Sequence, residues 1–373
     1  MTKTSVDLEN SQGSYEVSPK AGSSSEIASK IKTVFRRHRF VYLSVGTYIA
    51  SMVVFGLIVF VKGSNPFSVF FVIVQSTMFN GGSLEQIVLR TVPISLAALA
   101  VAVPARAGLV NVGGEGQLIM GAIGAAGVGL AVGSTIPGPL AWLLMAMAGA
   151  VAGAIWAGIP AVMRTVTGAS EAVTTLLMNF VANDIMLYLI YQPWRDRFSS
   201  GQPQSQPLSQ SAQLPSLFGS QLNIGVVVAL ALVIVTWYLL KRSHWGFALK
   251  VVGGNQEAAR RAGLPISRLL ISSMLVGGAL AGLGGMLNFA GLEIQLVPGI
   301  TATFGYIAFL ASWLGRHDPY KVLIAASLFS AIALSSNGIQ LNFGLNGSIV
   351  DILLALIVIA PLFLSKNRKA LTK

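Results

Sequence analysis

The sequence predicts an all-α, polytopic membrane protein with about ten transmembrane helices. Three observations carry this expectation. Of 373 residues, 54% are hydrophobic and only 10% charged, against roughly 25% charged in an ordinary soluble domain. The mean hydropathy is +0.71. The apolar residues fall in runs near the roughly 20 residues that cross a bilayer, with basic residues between the runs. One soluble core stops growing at about 250–300 residues, so a soluble enzyme is excluded, as is a disordered chain. With no cysteine, disulfides, thiolate metal sites and a Cys nucleophile are excluded too.

Residues 1–39 are polar, carry a Ser23-Ser24-Ser25 run and read as a disordered cytoplasmic tail. The following apolar run starts too late and is too long for a cleavable signal peptide. A transmembrane domain is expected over 40–365, with spans at 40–61, 87–105, 117–133, 138–160, 172–191, 222–240, 269–291, 299–315, 320–337 and 347–364. A further apolar stretch, 66–79, is too short to span and lies in the interface or re-enters, its helix starting after Asn65-Pro66. A basic cytoplasmic tail, 366–373, closes the chain.

The formal charge of +12 comes from 25 Lys and Arg against 13 Asp and Glu. With the N-terminus inside and spans alternating, only Lys62, Arg90, Arg195 and Arg197 fall outside, leaving 21 of the 25 basic residues inside. That split predicts N-in and C-in with an even number of spans, which eight or twelve would satisfy as well. No aromatic-interleaved basic patch accompanies the charge, so nucleic acid is not an expected partner. The longest outside loop, 192–221, is rich in Gln, Ser and Pro and reads as either a functional loop or a mobile linker. Small residues at four-residue spacing mark the helix contacts: Gly121, Ala125, Gly129 and Gly133; Gly149, Gly153 and Ala157; Ser273, Gly277, Ala281 and Gly285.

Three motifs carry chemistry. The first, Arg106 to Gln117, places Asn111, Glu115 and Gln117 among Gly108, Gly113, Gly114 and Gly116. It is either a cytoplasmic turn or a break at membrane depth lining a cavity. The second is a four-residue stripe of Glu171, Thr175, Asn179 and Asn183, with Asp184 as the deepest acid of the chain. It serves either a solute or interhelical hydrogen bonding. The third is the inside segment 245–265, where Asn255 caps a short helix opening on Glu257, Ala258 and Ala259 and stopped by Gly263 and Pro265. Proline at 257 is expected to break it. The chain has no Gly-Lys dipeptide, hence no Walker A loop. Its three His are scattered, so neither a metal cluster nor a His-based triad is expected.

These blocks resemble the permease subunits of bacterial ABC importers of the branched-chain amino acid, ribose and simple-sugar group, nearest the nucleoside-handling branch. The resemblance rests on Arg106 through Asn111, Glu115 and Gln117 to Gly121, on Glu171 to Asn179, on Trp245-Gly246-Phe247 through Gly254-Asn255 to Gly263, and on Ile307 to Arg316. It covers roughly residues 65–365. It implies a type II importer fold in the bacterial cytoplasmic membrane. The implied partners are ABC ATPase subunits that use ATP-Mg, a second permease chain, identical or different, and an external substrate-binding lipoprotein. This chain would hold no cofactor and catalyse no reaction. Asn111, Glu115, Gln117, Glu171, Asn179 and Asn183 would serve the substrate pathway. Gly254, Asn255, Glu257, Ala258, Ala259 and Gly263 would form the helix that couples to the ATPase. Nucleosides are the expected solute, with a ribose-like monosaccharide as the alternative. An ion-gradient-driven transporter would instead lean on deep charges such as Asp184 and Asp351.

Overall fold

In the computed structural model the described residues are 45–199, 201–217, 219–301 and 303–368. The predicted tail 1–39 and residues 369–373 lie outside them. The helices are α1 (Val45–Val61), α2 (Pro66–Val74), α3 (Ser83–Ala105), α4 (Gly114–Val132), α5 (Gly138–Thr167), α6 (Glu171–Tyr191), α7 (Gly225–Arg242), α8 (His244–Gly254), α9 (Gln256–Arg261), α10 (Ile266–Asn288), α11 (Phe304–Leu314), α12 (Pro319–Phe343) and α13 (Ser348–Arg368). Among the described residues there are no strands. The chain is a multi-pass membrane protein: among the described residues seven helices are long and apolar enough to cross a bilayer, or eight when α1 and α2, bent by 116°, count as one span.

The stretch 66–79 is the short helix that the sequence predicts. Asn65 accepts from the Phe67 N–H at 3.0 Å and Pro66 opens the first turn. The two faces of the bundle are fixed by contacts. On one, which we call the platform face, Lys241 pairs with Asp318 at 2.6 Å and Arg164 with Glu171 at 3.3 Å. On the other, the loop face, Glu85 accepts from the Gln221 N–H at 3.1 Å and Ser211 donates to the Gly133 carbonyl at 2.7 Å.

Helix α3 lies at the centre, with Pro93 through Pro104 buried without interruption. It is packed against α10, α11 and α12. Such an all-round apolar helix is what a position inside a larger bundle requires. The small-residue stripes meet where α10 crosses α4 and α5. A Cβ on Gly282 would overlap the Gly149 carbonyl, one on Gly153 the Gly278 carbonyl, and one on Gly285 the Leu118 carbonyl. Backbones touch because no side chain stands between them.

The predicted span 299–315 is not a continuous helix. After α10 the chain makes one π-turn, Phe289–Glu293, reverses at Ile294 with φ 53°, and descends unwound through Thr301. Only then does α11 begin, and its 11 residues rise about 16 Å, half a bilayer. The crossing is therefore a discontinuous one. The sequence fits ten apolar runs, but composition does not distinguish an apolar helix from an apolar unwound strand of chain.

The loop 192–221 corrects a second expectation. It is packed, not a mobile linker: Ser205 and Ala212 are fully buried and Leu208 nearly so. Ser205 donates to the Leu296 carbonyl at 2.9 Å, Leu208 to Ile294 at 2.9 Å and Leu214 to Ala290 at 3.0 Å. The unwound segment after α10 exposes carbonyls that must find donors, and this loop supplies them.

The crossing glycines yield a direct test. Gly282→Ala forces a methyl into the Gly149 backbone and is expected to destabilise the detergent-solubilised protein by about 1–3 kcal/mol, as overpacking does. Gly81→Ala, where a Cβ meets nothing within 4 Å, is expected to leave the thermal midpoint unchanged.

Candidate functional site

The break between α3 and α4 is built from the chain's most polar buried residues. After α3 the backbone turns at Gly108, φ 81°, and climbs back along the helix that it has just left. Asn111 donates to the Ala100 carbonyl at 2.9 Å, five residues or about 7.5 Å inside the end of α3. Asn111 and Gln117 are fully buried and their amides pair reciprocally, at 3.1 and 3.0 Å. Asn111 also accepts from the Gly113 N–H at 3.0 Å. Of the two readings of this motif, the surface turn is the one that the structure removes: the segment is a buried break.

The stripe on α6 meets this break position by position. Glu171 accepts from the Val110 N–H at 3.2 Å, Thr175 from Val112 at 3.1 Å and Asn179 from Gly116 at 2.8 Å. The Asn179 amide returns a donor to the Val112 carbonyl at 3.0 Å and reaches the Tyr306 hydroxyl at 3.5 Å. One helical face, at a rise of about 6 Å per four residues, thus matches the unwound backbone rung by rung. The two motifs are a single site. Asn183 is half-buried, above the stripe. Asp184 is exposed on the outer side of α6, and the most buried acid among the described residues is Glu115, 8% exposed.

Glu115 joins the break to α11. Its carboxylate accepts from the Gly305 N–H at 2.6 Å and from the Thr301 hydroxyl. Gly305 lies directly on the first turn of α4, where a Cβ would collide with the Glu115 backbone. Two helix N-termini therefore face each other with one carboxylate between them, an arrangement that the partial positive charge of both ends favours. Sequence spacing gives no sign of this contact. Gly305 and Thr301 are unremarkable in the sequence and stand 190 and 186 residues from Glu115.

On the platform face, α8 and α9 form a step. Ser243 caps α8, accepting from the Gly246 N–H at 3.0 Å, and Asn255 caps α9, accepting from Ala258 at 3.0 Å. Trp245 donates to Ser272 at 3.0 Å and pins α8 to α10. Gly254, Asn255, Glu257, Ala258 and Gly263 are exposed, while Ala259 is buried under them. Gly263 takes φ 76° and ends the helix. Gly253 sits so close to the Arg106 carbonyl that a Cβ would overlap it. The step therefore bears on the lower end of the break. Beside it, His317 contacts Ser312 at 3.0 Å and Trp313 edge-on. Burial, and then the charge of Arg106, hold its pKa below the ordinary 6.5. At Asp318 burial works to raise the pKa, but the hydrogen bond and charge of Lys241 bring it below the usual carboxylate value.

Asn179→Leu leaves the Gly116 N–H and the Val112 carbonyl unpaired. At about 1–3 kcal/mol per orphaned group, a loss of roughly 2–6 kcal/mol is expected, read as a lower thermal midpoint in detergent. His317 binds its proton less readily folded than unfolded, so its neutral form contributes stability above pH 6.5 that is lost as pH falls through the lowered value. His317→Gln is expected to flatten the pH dependence of the midpoint below 6.5.

Residues 83–362 match the sequence profile of the branched-chain amino acid transport system / permease component family. The chain is 33% identical over 324 residues to a glucose ABC transporter permease protein of Haloferax volcanii, covering 84% of each. It is 31% identical to a guanosine ABC transporter permease protein of Bacillus subtilis, over 72% of this chain and 77% of that one. With a nucleoside ABC transporter permease protein of Lactococcus lactis it shares 29% identity, over 81% of this chain and 85% of the relative. The profile covers the broken crossing, the α6 stripe and the α8–α9 step alike, and the chain belongs to this family of transporter permease components.

Proposed function

We propose that the chain is the nucleoside-translocating subunit of an ATP-driven importer in the bacterial cytoplasmic membrane, with its platform face and both termini inside. The observation that carries the reading is the α8–α9 step: a capped, exposed helix pair fastened to α10 by Trp245 and bearing on the break through Gly253. A rigid capped step is suited to passing a partner's movement to the bundle as a body. The partner is an ABC ATPase that binds and hydrolyses ATP-Mg; this chain has no Walker A loop of its own. A second permease chain and an external substrate-binding lipoprotein complete the assembly. Gly254, Asn255, Glu257, Ala258, Ala259 and Gly263 form the coupling element.

For the pathway, Asn111, Glu115, Gln117, Glu171 and Asn179 act by holding the break in shape, since their polar groups are engaged by the chain. Asn183 stands next to them toward the loop face. Nucleosides are favoured because relatives named for guanosine and nucleosides match over most of their length. A monosaccharide is the second reading, favoured by the relative named for glucose. In vesicles containing the assembled complex, labelled guanosine uptake that requires ATP and is competed by nucleosides but not glucose supports the first reading; competition by glucose alone supports the second. Uptake that ignores ATP, follows the proton gradient and stops in Asp184→Asn would replace both with an ion-driven carrier.

The structure moves the expected proline test. Glu257 is the second residue of α9, whose N–H has no intrahelical acceptor, so proline there costs little. Ala259 donates to the Asn255 carbonyl at 3.0 Å. Ala259→Pro removes that bond and is expected to abolish ATP-driven uptake while the chain still inserts. Glu257→Pro should retain a substantial part of the uptake.

A further inference from the structure

A second polar feature lies away from the break, between α3, α11, α12 and α13 in the loop-face half. Arg90, Thr303, Phe304, Ser336, Asn337 and Asp351 line a cavity of about 230 Å³. Arg90 stands seven residues below the start of α3 and Asp351 three below that of α13, so the hollow begins within the first turn of α13 and reaches about two helical turns down α3. Glu293, at the end of the π-turn, adds its charge to the field at Arg90.

The groups at the break are consumed by the fold, whereas Ser336, Asn337 and Asp351 are not. Among the described residues, the side chains of Ser336, Asn337 and Asp351 make no hydrogen bond or ion pair, and Arg90 makes no hydrogen bond. An ionised side chain placed against lipid costs about 2.5–3.5 kcal/mol or more. A guanidinium and a carboxylate on one hollow, in a chain only 10% charged, mark a surface that meets water or a polar ligand.

The donor set narrows the ligand. A carboxylate accepts from two adjacent hydroxyls. The guanidinium and the carboxamide donate to hydroxyl and ring oxygens. Phe304 offers an apolar face to the C–H side of a ring. A phosphorylated sugar would be repelled by Asp351 and Glu293, and an amine by Arg90; a neutral polyol meets neither penalty. The cavity is smaller than the roughly 300–1,000 Å³ of pockets for drug-sized molecules, room for one ring but not for a ring and a base together.

We propose that this hollow is a binding site in the permease chain for a sugar ring bearing a vicinal diol, whether the ribose of a nucleoside or a free monosaccharide. It rests on the transport reading above and adds where in the chain the solute is held. The ring is held by Asp351, Arg90 and Asn337, and the base of a nucleoside projects out of the hollow.

The natural absence of cysteine provides the test. Ala333→Cys, on the cavity wall, places one thiol beside the ring position in the full transporter complex in membrane vesicles. A water-soluble methanethiosulfonate reagent is expected to modify it. Guanosine or D-ribose should slow that reaction about tenfold at ten times its dissociation constant, and a dideoxynucleoside lacking the diol should not. Adding Asp351→Asn should remove the protection. Protection by guanosine and ribose identifies a nucleoside source; protection by glucose alone identifies a free monosaccharide. Val350→Cys on another part of the wall is read in the same way. The site is overturned if neither thiol reacts, if no sugar protects either one, or if the dideoxynucleoside protects as well as guanosine. ATP-driven uptake of labelled guanosine and glucose is followed in the wild-type vesicles. Uptake without protection rejects the site alone; absence of any ATP-driven uptake rejects the transport reading beneath it.

Discussion

Backbone amides cannot be left unpaired at membrane depth, and the architecture follows from how this chain meets that demand at two places where it abandons the helix. At the first, between α3 and α4, the donors of Val110, Val112 and Gly116 are taken up by Glu171, Thr175 and Asn179. At the second, between α10 and α11, the carbonyls of Ala290, Ile294 and Leu296 are taken up by the loop of 205–214. One solution uses side chains on a neighbouring helix, the other uses backbone borrowed from a loop. Both convert what would be a costly defect into a fixed shape. Glu115 ties the two together, since its carboxylate binds the start of α11 from the start of α4.

This arrangement divides the bundle into stiff and polar parts. Where α4, α5 and α10 cross, glycine backbones are in contact and a single methyl would not fit. Such an interface has no slack and moves as a block. The junctions around the break are held by hydrogen bonds instead, which exchange partners without opening a void. The α8–α9 step bears on the lower end of this polar junction through Gly253 and Arg106, and Lys241–Asp318 fastens the next turn along the same face. Force applied to the step therefore arrives at the break and, through Glu115, at α11.

Much of this was legible in the sequence, and the rest was not, for reasons that differ by element. The glycine stripes of α4, α5 and α10 are periodic, so their meeting was foreseeable from Gly121, Gly149, Gly153 and Gly285. The caps at Asn65 and Asn255 are local, and both form as read. The α6 stripe was visible as a stripe, but its partner was not: nothing local links Asn179 to Gly116, 63 residues away. The unwound start of the span at 299–315 was hidden because Ile300 is as apolar as a helical residue, and the docking of 205–214 because the Gln, Ser and Pro around it mimic a solvated linker. Asp184 read as deep by its position along α6, yet the helix turns it outward. Depth along a span and burial within a bundle are independent coordinates, and only the first can be counted from a sequence.

The same distinction separates the two polar regions of the chain by role. At the break, each polar atom of Asn111, Gln117 and Asn179 has a protein partner, so a solute could engage them only by displacing bonds that hold the fold. Among the described residues, the side chains of Ser336, Asn337 and Asp351 make no hydrogen bond, and Arg90 meets only the charge of Glu293. An ionised group with no internal hydrogen bond is costly to place against lipid and gains from a polar molecule that reaches it. The residues that announce themselves most strongly in the sequence are therefore the scaffold of the break. Arg90 and Asp351, charges set in apolar runs, make no hydrogen bond within the fold and are the ones able to meet a passing molecule.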